Sequence, residues 1–231
     1  MSVHGLFVTG TDTGVGKTIV ACALVRALLA RRATVTVMKP IASGALRMPA
    51  GLRNEDALDL MAASRTLAAY ADVNPYCFEP PISPHIAAEA SKITIDIDLI
   101  VEHYRRLTAT ADWIVVEGAG GWLAPISDHE SMEDLAVALG LPALLVVGLK
   151  LGCLNHARLT RESIAARGVG FAGWVASAVD PEMRAVAENL GTLERLLGEP
   201  ALAVVPHAPA AVRSLVLEDA LARLMQRLIS T

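Results

Sequence analysis

Between Gly10 and Thr18 the chain reads Gly-Thr-Asp-Thr-Gly-Val-Gly-Lys-Thr. Glycines at this density let a backbone curl so that successive N–H groups point at one anion. The lysine and hydroxyl that follow complete a phosphate site. Lys17 is placed to reach the β and γ phosphates of a nucleoside triphosphate, and Thr18 to offer its hydroxyl to Mg²⁺. The main chain of Gly14, Val15, Gly16 and Ile19 forms the cradle, and the helix opened by Lys17 adds the positive end of its dipole. The usual pattern G-x-x-x-x-G-K-[ST] wants glycine at position 11, where this chain has Thr11; its glycine comes one residue earlier, at Gly10. The loop is a variant. A G-K-[ST] triplet alone arises by chance in about one chain in ten of this length. The additional glycines and a strand–loop–helix setting lower that to roughly one in a thousand, so nucleotide binding is the reading.

Mg²⁺ on a triphosphate usually takes a carboxylate as well. The run Asp112-Trp113-Ile114-Val115-Val116-Glu117 reads as a buried strand ending in an acid, followed by Gly118-Ala119-Gly120-Gly121. At that strand end Glu117 faces the phosphate loop across the sheet edge, and the glycines allow close backbone approach of a ligand. The bland alternative is a polar residue that only ends the strand. Asp56 stands at the start of an apolar helix, where an aspartate more often caps than ligates; its spacing leaves both roles open.

These residues need a scaffold. Apolar, β-branched runs alternate with helical patterns, the sign of βα units on a parallel sheet. Strands are predicted over 3–9, 34–38, 113–117, 142–148, 171–176 and 201–205. Helices are predicted over 17–32, 56–65, 97–111, 131–139, 154–167, 181–197 and 211–229. The strands are too apolar for a sheet wetted on one face. Between Pro40 and Thr94 the regularity weakens, with prolines at 49, 75, 80, 81 and 84. Such irregular connections tend to lie at the ligand-binding edge of an open α/β sheet. Neither a repeat nor a linker composition interrupts the 231 residues, which predicts one domain spanning 1–231.

Composition narrows the class. The chain is 53% hydrophobic, enough for a sizeable core. Lys plus Arg is 20 against 24 Asp plus Glu, which argues against a nucleic-acid binder with its basic stripe. The longest apolar stretch, 141–149, is about half a membrane span and contains Pro142 and Gly148. No basic n-region opens the chain, so no signal peptide is expected. Cys22, Cys77 and Cys153 are far apart and form neither a disulfide framework nor a C-x-x-C zinc pair. A soluble cytoplasmic protein with no membrane or nucleic-acid partner is the expectation. Trp113, Trp122 and Trp174 read as core.

Taken together, these motifs resemble the dethiobiotin synthetases, P-loop ligases of biotin synthesis. The resemblance runs in order along almost the whole chain. It comprises Gly10–Thr18 (family pattern G-T-D-T-x-V-G-K-T), Lys39-Pro40-Ile41-Ala42-Ser43-Gly44, Asp56-Ala57 in an N-x-D-A segment, and Pro84-His85. Glu117–Gly121 and Leu151-Gly152-Cys153-Leu154-Asn155-His156-Ala157 complete it. It implies an α/β, P-loop NTPase-like fold, a mostly parallel sheet flanked by helices on both faces, working as a homodimer. The implied reaction is ATP- and Mg²⁺-dependent closure of a cyclic urea from 7,8-diaminononanoate and CO₂. By itself Lys39 at a strand end reads as a solvated charge; by resemblance it is the second cation beside Lys17. Thr13 and Ser43 then hydrogen-bond the carbamate or the substrate amines, while Thr18, Asp56 and Glu117 hold Mg²⁺. The substrate carboxylate is implied to be bound by the partner subunit through the segment that contains Lys150 and Asn155. The nucleotide base is implied to lie by Ser177 and by Pro206, His207 and Ala208.

Three residues depart from the family. Gly14 stands where some members carry Glu. Ser177 replaces a usual Asn, putting one hydroxyl where an amide donates and accepts at once, which predicts weaker discrimination among bases. His207 follows Pro206 in place of an apolar or aromatic residue. A positioning ATPase for plasmids or cell division shares the variant loop, yet carries a lysine five residues before the loop lysine, where this chain has Asp12.

Overall fold

Strands that carry almost no polar residues have to be covered on both faces, and the chain achieves this in one parallel sheet. The structure, a computed structural model, describes residues 4–109, 111–209, 212–213, 216–217 and 220–221. The N-terminal half runs β1 (His4–Gly10), α1 (Lys17–Leu29), β2 (Val35–Met38), β3 (Ile41–Ala42), β4 (Leu46–Met48), β5 (Gly51–Arg53) and α2 (Glu55–Ser64). It continues through α3 (Tyr70–Val73), β6 (Tyr76–Cys77), α4 (Pro84–Ala90) and α5 (Ile97–Thr108). Then come β7 (Trp113–Glu117), α6 (Met132–Leu139), β8 (Ala143–Leu149), α7 (Cys153–Ala166), β9 (Phe171–Ala178), α8 (Val186–Leu197) and β10 (Ala203–Val205).

The main sheet has the order β10-β9-β8-β1-β7-β2, and every pairing in it is parallel. β1 lies between β7 and β8, so the chain leaves it toward one edge and later returns to build the other. That reversal opens a crevice at the C-terminal ends of the central strands, where ligands bind in such sheets. Gly10 ends β1 and Glu117 ends β7, and both point to that crevice edge.

Residue alternation along β8 explains the two-sided core. Leu144 and Val146 join the large cluster with β1 and α1, while Leu145, Val147 and Leu149 pack with Cys153 and Ala157 of α7 and Leu193 and Leu197 of α8. α1 is buried along most of its length, and its alanines and valines let it sit close to the sheet. α6 begins with a capping box in which Ser131 and Asp134 each satisfy the other's backbone N–H. All three tryptophans are core, at 5%, 2% and 0% exposure for Trp113, Trp122 and Trp174.

Several expected boundaries are corrected. α1 stops at Leu29, three residues early, and the chain turns at Arg32 with φ 62°. α5 stops at Thr108, whose hydroxyl bonds back to the Tyr104 carbonyl at 3.0 Å. α8 begins at Val186 and not at Pro181, because Asp180 holds a turn through Oδ1 to the Glu182 N–H at 2.9 Å. The irregular stretch contains small elements the pattern did not announce: the parallel pair β3–β6, the hairpin β4–β5, and the short helix α3. The helix expected over 211–229 lies for the most part outside the described residues. Among the described residues no helix is long and apolar enough to cross a membrane.

Candidate active site

The phosphate loop is tight because its side chains leave no room. A Cβ at Gly10 would come within 2.7 Å of Val15 Cγ2 and 3.2 Å of Lys17 Cδ. Gly16 has φ 93°, a conformation side chains rarely adopt, and from it α1 starts directly. Val15 turns its side chain into the core, at 1% exposure, so its main chain is what remains for a ligand. Lys17 Nζ donates to the Asp12 carbonyl at 2.9 Å. Burial, and then repulsion from Lys39, lowers the Lys17 ammonium to about 8, against the pull of Glu117, Asp56 and Asp12.

Thr18 stands one residue further on. Its hydroxyl is 2.9 Å from Asp56 Oδ1 and 3.0 Å from Glu117 Oε1. A hydroxyl has one hydrogen and cannot donate to both at once. Glu117 is 1% exposed, and its buried Oε2 has no partner among the described residues. An orphaned carboxylate oxygen beside a second carboxylate and a hydroxyl is a hard-oxygen donor set. Such a set fits Mg²⁺, which uses one or two carboxylates and fills its remaining positions with water and phosphate. Asp56 is available because it is not the helix cap: Asn54 takes that role, its side chain accepting from the Ala57 N–H.

Lys39 reaches the same carboxylates from the end of β2. Its Nζ is 2.6 Å from Glu117 Oε1, 3.0 Å from Asp56 Oδ2 and 3.3 Å from the Gly118 carbonyl. At 3% exposure it is far from a solvated charge. Burial disfavours the ammonium, but Glu117 and Asp56 outweigh it and hold Lys39 above the ordinary lysine range. Burial likewise disfavours the Asp56 carboxylate, and Lys39 more than offsets it, leaving Asp56 below the usual carboxylate range. Burial pushes Glu117 up, against the pull of Lys39.

These groups line a cleft of about 1740 Å³ that also holds Thr13, Gly14, Ile19, Ser43, Ala119 and Gly120. The remaining expected residues lie elsewhere. Ser177 is buried behind Gly16, its Oγ 3.3 Å from where a Cβ of Gly16 would be. Pro206, His207 and Ala208 follow β10, with His207 Nδ1 3.3 Å from the Ala178 carbonyl. Lys150 Nζ is engaged within its own chain, 2.6 Å from Asp12 Oδ2. This hydrogen bond, followed by the N–H of Thr13, lowers Asp12 despite burial. Asn155 is exposed on the first turn of α7. Tyr70 and Asn74, which stand behind Asn54, were not singled out by motif. Asn54 carried the one available signal, an Asn two residues before Asp56 at a helix start.

The AAA domain family profile matches residues 4–214. The ATP-dependent dethiobiotin synthetase of Xanthomonas oryzae is 48% identical over 211 residues, covering 91% of this chain and 94% of that one. The enzyme of the same name from Nitrosospira multiformis is 47% identical over 204 residues, 88% of each chain. Among solved structures, the MinC:MinD cell division complex of Aquifex aeolicus aligns with TM-score 0.62 at 18% identity, covering 97% of this chain and 96% of that one. A ParA family ATPase from Chlorobium tepidum aligns at 0.56 and 15% identity over 98% and 94%. At such identities the structural likeness speaks for the fold alone, while the sequence relatives speak for the activity.

Proposed function

The chain belongs to the AAA domain family and, within it, to the ATP-dependent dethiobiotin synthetases, and from that premise we propose the reaction and the part each residue plays in it. An amine of 7,8-diaminononanoate adds to CO₂ and loses a proton, giving a carbamate. A carbamate oxygen attacks the γ phosphorus of ATP and expels ADP, forming a carbamic–phosphoric mixed anhydride. The second amine attacks the carbonyl carbon, loses a proton and expels inorganic phosphate, which closes the cyclic urea of dethiobiotin. The phosphoryl transfer brings two anions together and the ring closure expels a third, so fixed cations and N–H donors held in line contribute more than a proton shuttle.

Lys17 binds the β and γ phosphates, and the main chain of residues 14–19 cradles them. Lys39 neutralises the carbamate and the transferring phosphoryl group from its place within 3.0 Å of Glu117 and Asp56. Thr13 and Ser43 orient the carbamate and amines in the cleft both line. Gly118, Ala119 and Gly120 let the nucleotide approach the main chain. Thr18, Asp56 and Glu117 would hold Mg²⁺, which supplies charge neutralisation on the triphosphate. Ser177, Pro206, His207 and Ala208 flank the base. In a homodimer, Lys150 and Asn155 of the partner subunit bind the substrate carboxylate. The chain works as one domain in the cytoplasm.

The observation that carries this proposal is Lys39 Nζ set within 3.0 Å of both Asp56 and Glu117 beside the phosphate loop. The test is phosphate release from MgATP with and without diaminononanoate and bicarbonate, alongside GTP and CTP. Release that requires the diamine, with the mass of the cyclic urea in the product, is expected. Hydrolysis independent of the diamine would overturn it.

A further inference from the structure

Behind the cleft, two buried asparagines and a half-buried tyrosine join the three segments that deliver Lys39, Ser43 and Asp56. Both main-chain groups of Lys39 are gripped by neighbouring residues: its N–H donates to the Val73 carbonyl at 2.8 Å, and its carbonyl accepts from Asn74 Nδ2 at 2.6 Å. Asn74 Oδ1 in turn accepts from the Tyr70 hydroxyl at 2.8 Å. The same hydroxyl accepts from the Asn54 main-chain N–H at 2.8 Å. Asn54 then caps α2, which carries Asp56, and its Nδ2 donates to the Ser43 carbonyl at 3.3 Å. Asn54 and Asn74 are 7% and 3% exposed. The Tyr70 hydroxyl is the link between the Lys39 half and the Ser43–Asp56 half of this relay.

We infer that Tyr70 is a positioning residue for phosphoryl transfer, setting Lys39 against Asp56 and Ser43 through Asn74 and Asn54. The role rests on the reaction proposed above. Its chemistry is that of a phenol that donates to Asn74 and accepts from Asn54, with Cys77 Sγ a third neighbour at 3.6 Å; burial raises the Tyr70 pKa and keeps it neutral. The Arg53 guanidinium lies 4.1 Å from the ring centroid and covers its outer face. β3 and β6, only two residues each, give this region little ladder to hold its register. Side-chain hydrogen bonds therefore do what a long strand pairing does elsewhere. The phosphate loop takes no part in the relay, so nucleotide binding and turnover separate.

Tyr70→Phe removes the hydroxyl and keeps the ring. Its kcat, per folded molecule by circular dichroism, is expected to fall about 10- to 100-fold, the cost of displacing a catalytic group by about an ångström. Affinity for ADP without a divalent cation stays at the wild-type value. Ile164→Ala, a core truncation in α7 remote from the relay, is the control: it lowers the melting temperature while kcat per folded molecule holds. If Tyr70→Phe does not fold, Asn74→Ser carries the test, since the shorter side chain breaks the bonds to the Tyr70 hydroxyl and to the Lys39 carbonyl. Its kcat falls and its ADP affinity does not. Wild-type kcat in Tyr70→Phe, or in Asn74→Ser, would overturn the positioning role. A wild-type enzyme that forms no cyclic urea would instead break the proposed reaction and take the positioning role with it.

Discussion

The site is assembled from two regions built on different principles. The edge formed by β1, β7 and the phosphate loop is positioned by the parallel ladder and by apolar packing on both sides. His4 to Val8 pair in register with Trp113 to Glu117, and Leu6, Phe7 and Val8 are 0% exposed. Residues 39–94 have two-residue strands, an exposed hairpin and short helices, and they are held by side chains bonding to main chain. The lysines show the difference. Lys17 sits on the rigid loop with a lowered pKa, whereas Lys39 leaves the end of β2 into the polar region and is held charged by two carboxylates. On the proposed reaction, the packed edge would bind phosphate and the polar brace would orient the reacting groups.

Removing Lys39 tests that division most severely. Lys39→Ala is expected to lower kcat by about 10²–10³-fold, the usual loss for one electrostatic donor, while metal-free nucleotide affinity is unchanged in equilibrium titration. A matching loss of affinity would erase the distinction between the regions. Next comes Gly10→Ala, whose Cβ has no room beside Val15. It should cost about 1–3 kcal/mol in denaturant melts, as overpacking does, and nucleotide affinity should fall with it.

A smaller effect follows from pH. With Lys17 near 8, a phosphate partner raises its pKa, so metal-free ATP binding above that pH takes up a proton. Affinity should fall about fivefold between pH 8 and 9, with proton uptake seen by calorimetry in buffers of different ionisation enthalpy. Lys17→Met should lose the uptake, whereas Lys39→Met, by removing a repulsion, should raise the Lys17 pKa and move the uptake to higher pH. The smallest change is at the rim of the polar region, where Arg47 and Glu79 pair at 2.7 Å but are 71% and 52% exposed. Arg47→Ala should alter thermal stability by about 0–1 kcal/mol and leave kcat alone.

Much of the first region was legible in the residues. β7 matches its expected bounds, and β1, β8 and α1 differ only at their ends, because apolar runs and helical periodicity are local signals. The second region was legible only as an irregularity. Its motifs pointed to Lys39, Ser43 and Asp56, but the braces that set them were silent. Tyr70 meets Asn54 across 16 residues, and Asn74 meets the Lys39 carbonyl across 35. Nor does any local pattern pair Asp12 with Lys150, 138 residues apart.

What the sequence by itself determined is the phosphate loop, the parallel α/β plan and the membership in a family of ligases, since each is carried by residue types at short or ordered spacing. What only the tertiary structure decided is that Lys39 is a buried ion-paired cation and not a solvated one. It likewise decided that Asn54 caps α2 while Asp56 turns to Thr18, and that one phenol joins the two halves of the site. Burial and hydrogen-bond geometry depend on which distant segments meet, and that is settled when the sheet closes over its core.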